Sequence, residues 1–355
     1  LLVSSAASDV YKRQDMKPEV TVNVDMPKGQ VEQALEQPIK VGWDSVSLKA
    51  KLAQDKLNAE WLFDVTDNGD LSGKVSLNDV SSESPTIDGK VSLSTFHLDF
   101  LAPLLGEYSL FKANMNTDLA LSGDVMHPKV NGQLLIDKLK VQGDITPIDI
   151  NSGRVALEFK GHQAELNANI LTPDGKLSVD GAADWQDLYN WNSSAHVFAE
   201  ELKVDLSPMG KAIVKPDMTI RIQPNMAKID GKIDLPWGRV LIDELPPTAV
   251  KVSSDTVILS ANVRPLNNTT KLPFKVVTDV DIDIGDDFEL SAFGFNGNLQ
   301  GKLNVTQKDK GPFIVGEVNI IDGSYRSFGQ DLVIEEGKIM MNGPADQPYL
   351  SIKAI

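Results

Sequence analysis

Hydrophobic and polar residues alternate along most of this chain from Val20 onwards, so that aliphatic side chains recur at every second position. Successive side chains of a β-strand point to opposite faces of the sheet. This period of two therefore predicts strands with one apolar and one solvated face. Helical spacing of apolar residues is confined to residues 96–105 and 185–191. The pattern predicts an all-β fold with one or two short helices.

A five-residue unit of glycine, a polar residue and two aliphatic residues separated by one position occurs nine times. Several neighbouring copies lie about 15 to 22 residues apart, roughly the length of one hairpin, which is typical of a repeat architecture. Alternation places both aliphatic residues of a copy on one face of the strand. In chain order the aliphatic pairs are Val75 and Leu77, Val91 and Leu93, Leu134 and Ile136, Val155 and Leu157, Leu177 and Val179, Ile233 and Leu235, Leu303 and Val305, Val318 and Ile320, and Ile339 and Met341.

The polar residue after the glycine is a lysine in six of these copies. By the same alternation it points away from the aliphatic pair, so we expect an outer, solvated position for each of these lysines. They are Lys74, Lys90, Lys176, Lys232, Lys302 and Lys338.

The last part of the sequence predicts a three-stranded meander. Residues 327–334 and 337–341 alternate as two strands, with Glu335-Glu336-Gly337 between them as a hairpin connection. Asn342-Gly343-Pro344 is a turn signal, and a third strand is expected after Pro348.

The apolar face of such a sheet must be covered by a second sheet, by the same sheet curled over, or by a ligand. About twenty-five strands stacked at ~4.8 Å would extend a continuous curled sheet to the order of 100 Å. No linker long enough to separate domains is evident, so residues 15–355 are predicted to form a single elongated region, truncated at both ends. Residues 1–14 do not join the strand pattern and are interpreted as an artefactual leader.

Composition and charge exclude several classes of function. The net charge of −16 argues against nucleic acid as a partner. The chain has no cysteine, and its four histidines have no metal-ligand spacing. The acidic run from Asp279 to Asp287 lacks the glycine and glutamate of a calcium loop and is interpreted as a strand with an acidic face. Since no nucleophile elbow or phosphate loop occurs either, we predict no catalytic residue, metal or cofactor, and no enzymatic activity.

Three stretches carry a resemblance to a known family. They are Gly329-Gln330-Asp331-Leu332 with Gly343-Pro344-Ala345-Asp346-Gln347-Pro348, then Leu235-Pro236-Trp237-Gly238-Arg239-Val240, and Gly285-Asp286-Asp287-Phe288. They resemble the C-terminal region of the TamB family, the translocation and assembly module subunits. The resemblance implies a β-taco, an elongated curled β-sheet that forms a groove with a hydrophobic interior. It also implies a periplasmic location, an inner-membrane anchor absent from this chain, and a TamA-like outer-membrane barrel as partner.

TamB-like proteins belong to the AsmA-like group, which is linked to phospholipid transport between membranes. The resemblance therefore implies a conduit that contributes to outer-membrane integrity, with phospholipid acyl chains lying on the nine aliphatic pairs. By alternation alone these pairs fit a dry core as well. The alternative function is a scaffold or chaperone that assembles outer-membrane or secreted β-proteins by strand addition. A β-helical polysaccharide enzyme is a more distant third.

Overall fold

A computed structural model describes residues 19–33, 39–105, 110–143, 148–205, 209–242, 275–308, 311–327, 329–344 and 347–355. Residues 1–14, interpreted above as a leader, lie outside these ranges. Most described residues are in β-strands, so the predicted all-β, curled-sheet fold class is confirmed. Backbone contacts divide the chain into two compact units. Unit 1 is Leu1–Leu202 with Thr219–Pro224, and unit 2 is Lys203–Met218 with Asn225–Ile355.

Unit 1 is an antiparallel meander in which each strand from β1 to β11 pairs with the next one along the chain. Its strands are β1 (Val20–Gln33), β2 (Ile39–Ala53), β3 (Lys56–Val65), β4 (Gly69–Asn78), β5 (Thr86–His97), β6 (Leu110–Asp124), β7 (His127–Gln142), β8 (Ile150–Gly161), β9 (Gln163–Leu171), β10 (Lys176–Asp184) and β11 (Asn192–Ala199). Two further strands, β12 (Leu202–Asp205) and β13 (Gly210–Gln223), contribute residues to both units.

One of the two candidate helices is present. A short 3₁₀ helix (Asp99–Leu105) follows β5, as predicted. Residues 185–191 form a turn instead. The Asp187 carboxylate accepts hydrogen bonds from the Tyr189 backbone N–H at 2.8 Å and from Asn190 Nδ2 at 2.6 Å. Such local bonds from an aspartate offer the backbone an alternative to the helix, which is why the turn forms here.

The hydrogen bonds of this turn make its stability depend on pH. The hydrogen bonds from Asn190 and from the Tyr189 backbone lower the pKa of Asp187 below the ordinary aspartate value. A lowered pKa in the folded state means that the contribution to stability is present above the unfolded pKa and is lost as pH falls through the folded pKa. We expect NMR titration to show this lowered pKa, and the Tyr189 amide resonance to move with it. If Asp187 titrates at the ordinary aspartate pKa, it does not accept the hydrogen bonds that hold this turn.

Unit 2 contains a strand pair that the sequence did not predict. β14 and β15 are parallel, with a bulge between Leu235 and Trp237, whereas every following pair is antiparallel. The alternation of side chains is the same in both pairings, so the pattern carries no information about strand direction. The strands are β14 (Met226–Ile242), β15 (Lys275–Ala292), β16 (Phe295–Lys308), β17 (Gly311–Ser327), β18 (Gln330–Pro344) and β19 (Tyr349–Ala354).

The predicted hairpin at Glu335-Glu336-Gly337 is wrong. β18 continues through these residues, and its ladder with β17 resumes at Gly337. Both glutamates remain exposed, and Glu335 forms an ion pair of 2.6 Å with Lys353 of β19. They can therefore be accommodated as an irregularity in a strand rather than as a turn. The third strand begins at Tyr349, as expected.

Strands in the described ranges are also longer than predicted. There are nineteen of them, and β15 alone has 18 residues. The reason is that most glycines of the five-residue unit lie inside strands rather than between them, as Gly73 does in β4 and Gly316 does in β17.

Candidate functional site

The strand register of unit 1 joins apolar side chains into continuous rows. Residues directly opposite one another in neighbouring antiparallel strands lie on the same face of the sheet. A row of such partners can therefore be followed from strand to strand, and one of them crosses β1 to β11 without a charged residue. It consists of Met26, Val46, Phe63, Leu71, Leu93, Thr117, Leu134, Leu157, Leu166, Gly181 and Ala195.

All five predicted aliphatic pairs of unit 1 lie on this face, which we call the inner face. Leu93, Leu134 and Leu157 belong to the row itself, and each partner residue is two positions away along its strand. Leu93 is buried and the others are half-buried. The register thus brings together residues from five separate copies of the sequence unit: Val75, Leu77, Val91, Leu93, Leu134, Ile136, Val155, Leu157, Leu177 and Val179.

Unit 2 has an inner face of the same kind. One row passes from Leu235 through Ile284, Gly301, Val318 and Ile339 to Leu350 of β19. A second row holds Ile233, Ile282, Leu303, Gly316 and Met341. Together with Val305 and Ile320, two positions along their strands, these rows contain all four predicted pairs of this unit.

Part of the inner face of unit 2 is covered by its own side chains. Val318 and Ile320 are only 4% and 8% exposed and pack in one cluster with Ile284, Leu299 and Ile334. Val305 lies outside this cluster and is half-buried. The inner face of unit 2 therefore includes both a dry cluster and accessible apolar positions. The assignment of the nine pairs to a lipid-binding groove stays a prediction.

Charged and polar side chains lie on the opposite face of the sheet. In unit 2, Lys302 pairs with Asp283 at 2.9 Å, and Lys232 pairs with Asp234 at 2.6 Å. The hydrogen bond to Asp234 raises the pKa of Lys232. All six lysines of the sequence units are exposed, as predicted, and we call this side the outer face.

The acidic run after Asp279 lies in β15, which confirms its interpretation as a strand with an acidic face. Asn304 Nδ2 donates to Asp279 and Asp281, at 2.9 Å each. Within the part of the chain that the structure describes, no group of three or more His, Asp or Glu side chains is placed to hold a metal ion.

Aromatic residues that the alternation pattern did not reveal enlarge the inner face. The indole ring of Trp61 lies over Gly73, where an added Cβ would be 2.3 Å from the ring. Phe288 covers Gly238 in the same way, with its ring 2.4 Å from such a Cβ. An aromatic ring that covers a glycine on the neighbouring strand shields the backbone there. Only the register shows these pairs, because the partners are 12 and 50 positions apart along the chain.

Comparison with known proteins identifies relatives of this chain. Residues 3–136 match the family model of the TamB N-terminal domain, and residues 163–355 match that of the TamB C-terminal domain. The chain is 32% identical over 319 residues to the translocation and assembly module subunit TamB of Haemophilus influenzae. This match covers 87% of the chain and 24% of that relative, so the chain spans about a quarter of its length. No helix in the described ranges has the length and apolarity needed to cross a membrane.

Proposed function

Because this chain belongs to the TamB family, we propose that its inner face is a hydrophobic conduit for phospholipids, used for transport between the inner and outer membranes. The matched relative is named a translocation and assembly module subunit. We propose the same module as the setting of this chain, in the periplasm. An inner-membrane anchor elsewhere in the full-length protein and a TamA-like outer-membrane barrel as partner belong to the same proposal. Transport of this kind would contribute to outer-membrane integrity and needs no enzymatic activity.

The observation that carries the proposal is the row across β1 to β11, which contains no charged residue and is apolar except at Thr117. Burying one CH₂ group is worth about 0.8 kcal/mol, so an acyl chain of ~16 carbons in water costs on the order of 12 kcal/mol. A continuous aliphatic surface removes much of that cost while the headgroup stays in water. Since neighbouring rows are chemically alike, a lipid could move along them without a deep energy well.

Partial exposure of the inner face supports the same function. In unit 1, nine of the ten predicted groove residues are half-buried and only Leu93 is buried. Half-buried aliphatic side chains keep apolar surface that a ligand can cover, which a closed core does not.

The alternative function, assembly of other β-proteins by strand addition, rests on one edge. β19 pairs with β18 on one side, and no ladder joins it to any other described strand. Tyr349, Leu350 and Ile352 of this strand are 77%, 59% and 49% exposed. An exposed apolar edge of this kind can accept a strand from another protein.

The proposal predicts that Val305→Glu removes most of the bound phospholipid and leaves the fold intact. Val305 lies on the inner face between Val280 and Ile314, and its partial exposure lets a carboxylate reach water. The charge should repel acyl chains at little cost in stability. The measurement is mass spectrometry of phospholipid that co-purifies with the chain, combined with a thermal melt.

Lys302→Gln is the matched control, because Lys302 lies on the outer face of the same strand and is exposed. It should keep both lipid loading and melting temperature. A folded Val305→Glu variant with normal lipid loading would remove this position from the conduit. If the wild-type chain carries no phospholipid at all, the strand-addition alternative becomes the better explanation.

A further inference from the structure

The outer face of unit 1 carries a hollow of about 450 Å³ across β2 to β5. We call it the lysine hollow, because Lys49, Lys74 and Lys90 line it, with Glu60 as its one carboxylate and Ser72 and Ser92 beside them. Three ammonium groups around one hollow stand out in a chain whose net charge is −16.

Strand register brings these lysines together. Lys49 is opposite Glu60, Glu60 is opposite Lys74, and Lys74 is opposite Lys90. Directly opposite residues of an antiparallel pair have Cβ atoms about 4.5–5.5 Å apart, and like charges at that separation are destabilising. The ammonium groups of Lys74 and Lys90 therefore repel each other, and nearby anions reduce the cost of that repulsion.

Side chains of the protein neutralise these lysines only in part. Lys90 pairs with Asp118 at 3.0 Å. Lys49 and Lys74 form no ion pair with any residue in the described part of the chain, although Glu60 is the cross-strand partner of both. Two ammonium groups thus remain available to a ligand. Ser72 and Ser92, opposite each other in the next row, place two hydroxyl groups at the same hollow.

We propose that the lysine hollow binds a phosphate group, either free or carried by a lipid headgroup. Lysine binds phosphate as a compact point charge, and serine hydroxyls can donate further hydrogen bonds. An anion beside Lys74 would offset its repulsion from Lys90 with an attraction to its unpaired ammonium group. Because the site is exposed, its affinity should fall steeply with salt. The hollow is on the face opposite the conduit, so the proposal does not rest on lipid transport.

The test measures phosphate binding to the whole chain by isothermal titration calorimetry at low salt, with inorganic phosphate as the probe. Lys74→Gln should weaken binding by about tenfold, since one charge-assisted hydrogen bond is lost. Lys176→Gln is the matched control, as Lys176 is an exposed outer-face lysine of β10. This control should leave the affinity for phosphate unchanged.

A parallel assay identifies the source of the phosphate. Vesicles of phosphatidylglycerol mixed with phosphatidylcholine are compared with vesicles of phosphatidylcholine alone. Binding to inorganic phosphate supports the free ion as the ligand, whereas binding only to the anionic vesicles supports a lipid headgroup. In either case Lys74→Gln must weaken the binding. Equal binding by Lys74→Gln and Lys176→Gln, or no binding to either probe, overturns the proposal. None of these outcomes depends on the lipid loading of the Val305→Glu variant.

Discussion

Val318→Glu is expected to destabilise unit 2 strongly. Val318 is 4% exposed and packs with Ile284, Leu299, Ile320 and Ile334. A carboxylate at this position would be buried without a partner, which costs on the order of 3 to 5 kcal/mol. Such a loss of unfolding free energy lowers the melting temperature of a unit of this size by about 10 °C or more. The measurements are a thermal melt and hydrogen exchange of the β15 to β18 amides.

Acid should partly rescue this variant. Burial raises the pKa of a glutamate, because it disfavours the charged form. The destabilisation should therefore shrink as pH falls through the raised pKa and the carboxyl group becomes neutral.

Val315→Glu is the control for Val318→Glu. Val315 lies three positions away on the outer face of the same strand and is 44% exposed, so the same substitution should change the melting temperature little. Similar melting of both variants would show that the cluster around Val318 is open to water. That outcome would extend the accessible part of the inner face to Val318.

Gly316→Ala is expected to destabilise unit 2 by about 2 kcal/mol or more. Gly316 lies inside β17 with φ of 144°, a backbone conformation that L-residues rarely adopt. An added Cβ would also be 2.1 Å from the Lys302 carbonyl oxygen and 2.9 Å from Leu303 Cα. Neither contact can be relieved by a side-chain rotation, because both atoms are backbone. The free energy of unfolding from a denaturant titration measures the effect.

Gly343→Ala provides the comparison. Gly343 lies in β18 and has no positive φ, and no atom is within 4 Å of its added Cβ. The substitution should be nearly neutral, since nothing obstructs the methyl group there. If the two alanine variants unfold alike, the glycine in the repeated unit is not required by backbone geometry.

The inner face has buried positions and accessible positions, which serve different purposes in the proposed conduit. Around Val318 the side chains cover one another and hold neighbouring strands together. Around Val305, and along most of the predicted pairs of unit 1, aliphatic surface remains accessible. A dry core and a ligand-lining surface were alternatives for every pair in the sequence. In the structure, close packing is found at Val318 and Ile320, whereas accessible surface remains at most of the others.

The faces of the sheet were predictable from the sequence alone. Alternation is a local property of the pleated backbone, so Val75 and Leu77 share a face in any strand that contains them, and Lys74 takes the other. The same rule placed the carboxylates after Asp279 on the outer face. The end of β18 at Pro344 and the start of β19 near Tyr349 followed from the proline and glycine residues that favour a turn there.

Register and direction were decided only by the tertiary structure. Three features depend on how neighbouring strands pair, in direction and in register. They are the parallel pairing of β14 with β15, the unbroken strand through Glu335, and the position of Lys74 opposite Lys90. Alternation does not determine strand direction, and it does not say which residue of the next strand stands opposite. The inner face could therefore be derived from the sequence, whereas the dry cluster at Val318 and the lysine hollow required the assembled sheet.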